Sequence, residues 1–93
     1  MIVDYELSID RLHLDYFRSL DRVLLHCREK AMNPLPPVYV AFELVSDSRD
    51  IIQQIPVFVS LSRGVTQDFV DKVRTNLPHT EFVVVRCIPG VIA

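Results

Sequence analysis

Apolar and polar residues alternate strictly from Ile2 to Ile9, with Val3, Tyr5, Leu7 and Ile9 on one side and Asp4, Glu6 and Ser8 on the other. A period of two predicts a half-buried strand. From Arg11 to Met32 the period lengthens. Leu12, Tyr16, Leu20, Val23, Leu24, Cys27 and Ala31 recur at helical spacing, and Phe17 widens the stripe. Asp10 stands where its carboxylate can cap the helix by accepting unpaired backbone N–H groups. The run Asn33-Pro34-Leu35-Pro36-Pro37 ends it, because proline has no N–H and disfavours helix in the residue before it.

Val38 to Val45 alternates again, with Val38, Val40, Phe42 and Leu44 on one face and Tyr39, Ala41 and Glu43 on the other. Residues 46–50 are turn chemistry. A third strand is predicted from about Pro56 to Ser62, with Val57, Val59 and Leu61 inward and Pro56 at its start. Ile51 to Ile55 fits either a strand extension with a bulge or a turn of helix. Gly64 breaks the strand, and Thr66 can cap a second helix from Gln67 to Leu77. Its apolar face is Phe69, Val70, Val73 and Leu77, and Asp68 lies in its first turn. Pro78 ends it. Glu81 to Ile88 is a valine-rich final strand, predicted at a sheet edge.

The predicted order is βαββαβ in a single α+β domain over residues 1–93. It fits a ferredoxin-like sandwich most economically: a four-stranded antiparallel sheet with two helices on one face. The first and third strands would be central. The open face would carry Asp4, Glu6 and Ser8, then Tyr39, Ala41 and Glu43, then Phe58, Ser60 and Ser62. Strand four would add either Val84 and Arg86, or Val83, Val85 and Cys87.

Composition narrows the function. Ten basic and twelve acidic residues leave a net charge of −2, no electrostatic footprint for nucleic acid or an anionic membrane. Two glycines argue against a glycine-rich phosphate loop. No apolar run approaches the roughly 20 residues of a membrane span. The acidic start of the chain is unlike a secretory signal. Cys27 and Cys87 each lie on an apolar stripe, as free buried thiols do, which points to a reducing, cytoplasmic setting.

Several constellations bear on chemistry. Tyr39 and Phe58 on the open face resemble a base-stacking platform, but Asp4 and Glu6 beside them would repel phosphate, and the aromatic signature of RNA-binding strands is absent. Ser60, Ser62, Arg63 and Thr66 lead from a strand into a helix N-terminus and make a weak anion-binding candidate. A regulatory domain binding an anion or small ligand is therefore one alternative. Asp10, at the end of strand one with Asp4 and Glu6 on its face, would suit a metal-dependent nuclease, a further alternative; capping is the better explanation of Asp10, since it needs only this position and residue type. His26 and Cys27 diverge by about 100° on a helix and form no nucleophile–base pair. His13, His26, His79 and the cysteines have no metal-ligand spacing. No metal, cofactor or catalytic set is predicted.

The strongest signal is surplus apolar surface. Leu14 and Leu25 are eleven residues apart, hence at nearly the same helical angle, beside the main stripe. Val83 and Val85 lie on an edge strand, and Val91 and Ile92 continue an apolar tail. Such surfaces point to a protein partner or a second copy. The sequence therefore predicts a small non-enzymatic interaction module, regulatory or inhibitory, acting as a homodimer or docked on a larger protein.

Overall fold

The computed structural model describes residues 2–32, 34–46 and 48–88, with side chains from residue 14 onward. It is α+β, with two helices and a three-stranded antiparallel sheet. The order along the chain is α1 (Ile2–Glu29), β1 (Val38–Ser46), β2 (Ile52–Ser60), α2 (Arg63–Asn76) and β3 (Glu81–Cys87). Across the sheet the order is β2-β1-β3. β1 and β2 form a hairpin. β2, α2 and β3 form a crossover unit with β1 between its two strands.

The first strand expected from the sequence is absent. Residues 2–9 are the opening turns of α1, and Asp10 is a mid-helix residue, not a cap. The physical reason lies in the longer period. Ile2, Tyr5, Ile9, Leu12, Tyr16, Leu20, Val23 and Cys27 follow one another at steps of three or four, so one helical stripe runs through both segments. Eight residues of alternation fit inside that stripe, and neither Gly nor Pro interrupts the chain before Pro34. With this segment helical, the sheet has three strands, not the four of the ferredoxin-like arrangement, and the central one is β1.

The helix ends in a closed turn. Ala31 N–H donates to the Arg28 carbonyl at 3.1 Å and Met32 N–H to the Cys27 carbonyl at 2.9 Å. This paired closure places its turning residue in the left-handed region, and Ala31 has φ 50°. A Cβ is costly there and glycine avoids that cost. Ala31→Gly is therefore expected to stabilise the fold by on the order of 1 kcal/mol, read as a higher urea midpoint at unchanged m.

The two helices lie on different sides of the sheet, not on one face. α2 crosses all three strands and packs Val70 on Ala41, Val57 and Phe82. Ala41, the central residue of this layer, is fully buried. α1 approaches β2 alone among the strands. Its Val23 and Cys27 are buried, and it lines the opposite face with Val40, Phe42 and Val59. Alternation along β1 makes this unavoidable, since Val40 and Phe42 point away from Ala41. The face expected to be open, with Tyr39, Ala41 and Phe58, is the one α2 covers. Phe58 stacks on Phe69 with ring centroids 4.4 Å apart, and Arg63 lies over the Tyr39 ring. No aromatic platform faces solvent there.

β2 contains a bulge. Ala41 pairs with Phe58, but the next residue, Phe42, pairs with Pro56, so Val57 is inserted. The insertion turns Val57 toward α2 while Val59 faces α1, although the two share parity in the sequence. Pro56 does not begin the strand; it sits within it, which a sheet edge permits. Residues 52–55 are strand.

Candidate interaction surface

Because α1 approaches only the outer strand, the α1 side of β1 and β3 has no helix over it. A trough of about 330 Å³ runs there. Tyr16, Leu20, Leu24 and Cys27 form its α1 wall, Leu35 and Pro36 from the α1–β1 linker close one end, and Val38, Val40 and Phe42 make its floor. Cys87 and Ile88 bring β3 to its rim. No carboxylate, imidazole, ammonium or guanidinium lines it. Such a surface can bury apolar side chains, with the Tyr16 phenol and the Cys27 and Cys87 thiols its titratable groups.

Further apolar residues are exposed around α1. At about 100° per residue, Phe17 lies beside Leu24 of the trough wall, and Leu14 and Leu25 lie further round, beyond the exposed Asp21 and Arg28. Leu14 is 51% exposed and Leu25 54%, with Phe17 and Leu24 also exposed. Leu14 and Leu25 are thus exposed on the helix whose other flank lines the trough, a feature the sequence did not reveal. Val83 and Val85 are half-buried on β3. They pair with Phe42 and Val40 and so share the trough face, whereas Phe82, Val84 and Arg86 share the face of α2. Val91 and Ile92 lie outside the described residues, as do the side chains of Asp4, Glu6, Asp10 and His13.

The Ser60–Thr66 turn brings its hydroxyls together for structural ends. Ser62, not Thr66, caps α2, accepting from Val65 N–H at 3.4 Å. The helix begins four residues earlier than the sequence suggested, so Asp68 is outside its first turn. Thr66 is fully buried. Ser62 N–H donates to Ser60 Oγ at 3.2 Å, Ser60 and Thr66 share a 2.7 Å contact, and Thr66 Oγ1 donates to the Tyr39 carbonyl at 3.0 Å. This chain of bonds ties the start of α2 to β1. Arg63 is drawn onto the Tyr39 ring, its carbon 5.4 Å from the centroid. The four residues are neighbours, with their hydroxyls turned to one another and to the backbone.

His26 and His79 are exposed and apart from any metal-like cluster; among the described residues no group of three possible ligands occurs. Both cysteines are free, Cys27 buried and Cys87 half-buried. No helix among the described residues is long and apolar enough to cross a membrane.

Glu43 lies on β1, and burial raises its carboxyl above the ordinary 4.5. His79 and Glu81 line the same shallow cleft. The sign follows from linkage. The folded state holds the proton more tightly than the unfolded one, so the glutamate is harmless below the unfolded value. Stability is lost as pH rises from there through the folded value. Glu43→Gln is expected to be the more stable protein at pH 7 and to match wild type near pH 4. Melting curves across that window test it, and a gap that grows toward acid would contradict it.

The chain matches no family model, and no curated protein or solved structure matches it either.

Proposed function

We propose that this chain is a small non-enzymatic protein–protein interaction module of regulatory or inhibitory type, acting as a homodimer or docked on a larger protein inside the cell. The observation that carries this reading is the apolar trough between α1 and the sheet, with Leu14, Phe17, Leu24 and Leu25 exposed on the same helix. Exposed apolar surface of this extent costs solubility unless a partner covers it. The free buried thiol of Cys27 suits a reducing compartment.

Light scattering and binding of the dye ANS test the proposal together. The expected result is either a mass above the 10.7 kDa of one chain or a folded monomer whose trough binds the dye. In the first case, Leu14→Asp/Leu25→Asp shows whether these leucines are part of the contact. A monomer that binds no dye would mean the chain covers its own apolar surface, and the reading would fall.

A further inference from the structure

Resting on that reading, we propose that the partner is a second copy of this chain, joined by antiparallel pairing of β3 with β3 about a two-fold axis at Val84. The argument begins with the phase of the sheet's hydrogen bonds. Val59 N–H donates to Ser19 Oγ of α1, so it points away from β1. Val59 pairs with Val40, and in an antiparallel ladder paired residues point their peptide groups either both inward or both outward. The Val40 peptide groups therefore face β3. Val40 pairs with Val85, so Val83, Val85 and Cys87 turn their N–H and C=O groups to β1. Those of Phe82, Val84 and Arg86 turn outward, with no strand beside them among the described residues, because β3 is the edge of the β2-β1-β3 sheet.

An open edge of this kind is a template for another strand. In a two-fold antiparallel pair, each residue meets one of equal parity, since both must point to the same face. Centring on Val84 is the register that engages all three outward residues on both copies: Val84 meets Val84, and Phe82 meets Arg86. Shifting the axis by one residue along the strand leaves one of the three unpaired.

The charges agree with this register. Glu43 sits opposite Phe82 on β1 and is half-buried, so a cation brought to it has a carboxylate to meet. In the pair, the second copy's Arg86 lies on the far side of Phe82 and on the same face. Two strand spacings of about 4.8 Å separate it from Glu43. An extended arginine spans most of that gap across the Phe82 ring. Each copy supplies one such cation to the other, so the contact is made twice. On the opposite face Val83 meets Val85, and the two troughs join into one apolar channel bounded by two α1 helices.

The first experiment is light scattering on the whole chain, wild type and Val84→Pro. Proline removes an N–H that faces outward, and an edge strand tolerates it there. The expected result is a wild type of twice 10.7 kDa and a Val84→Pro monomer with unchanged circular dichroism. Should Val84→Pro fail to fold, the charge pair decides. Arg86→Glu is expected to weaken the dimer by on the order of tenfold, and Glu43→Arg/Arg86→Glu to restore it. A wild type that stays monomeric up to about 1 mM yet binds ANS overturns β3 pairing and leaves the interaction reading standing. So does a dimer that Val84→Pro and the charge reversal leave intact and Leu14→Asp/Leu25→Asp dissolves. An extended peptide that adds to the β3 edge of a monomer would likewise replace the second copy as occupant.

Discussion

Phe82→Ala is expected to lower stability by about 3–5 kcal/mol, the cost of emptying an aromatic site in a core. The layer under α2 is small: Ala41, Val57, Val70 and Phe82 are its buried members, and Phe82 is the largest of them. The space it fills cannot close by collapse. Ala41 is held by the ladders to β2 and β3, and α2 is tied to β1 through Thr66 and the Tyr39 carbonyl. A domain of this size has roughly 5–14 kcal/mol in all, so the variant should be partly unfolded at 37 °C. Urea denaturation measures it, with a lower midpoint at unchanged m. Leu25→Ala is the control. Leu25 is more than half exposed, and its loss should fall within about 0.5 kcal/mol of neutral. Equal losses from the two substitutions would mean that the core does not lie where α2 meets the sheet.

That core was legible only in part. Val70 and Val73 stood on the predicted stripe of the second helix and Val57 was expected inward, but Ala41 was expected on the open face, and it is fully buried beneath α2. The edge position of the valine-rich last strand also followed from its composition. What escaped depends on longer windows or distant partners. The alternation of Ile2 to Ile9 is locally as good a strand as a helix, and only its continuity with Tyr16 to Cys27 decides. Both Ser62 and Thr66 have a hydroxyl at the right place to cap, and the one that reaches Val65 N–H took the role. The bulge at Val57 leaves no mark beyond a nearby proline. The Leu14 and Leu25 pair could be read from helical angle alone. The trough could not, because it exists only where α1 stops short of β1 and β3.

The two edges of the sheet are treated differently, and this asymmetry bears on how the protein meets a partner. β2 lies under α1, whose Ser19 takes up an outward N–H of the strand. Among the described residues, β3 has no such cover. A helix of 28 residues, about 42 Å long, is therefore spent on one edge and one flank of the trough. The opposite edge and the trough floor remain available together, on the same side of the molecule, which suits a contact that uses backbone pairing and apolar burial at once.

Ser19→Ala is expected to cost about 1–3 kcal/mol, because it orphans a buried donor instead of removing a surface bond. Ser19 is nearly fully buried. Its hydroxyl donates to the Tyr16 carbonyl at 2.7 Å and accepts Val59 N–H at 3.0 Å. Alanine fits the space but removes the oxygen that accepts Val59 N–H. Ser19→Thr keeps the hydroxyl and should recover most of the loss. Hydrogen exchange gives the residue-specific reading: the Val59 amide should lose protection in Ser19→Ala beyond what the global change explains, while the Val57 and Val70 amides follow global stability. An unchanged Val59 amide would mean that Ser19 does not hold the strand edge. It would also remove the ground for the ladder's phase, since the outward direction of Val59 N–H is what turns the peptide groups of Phe82, Val84 and Arg86 to the open side of β3.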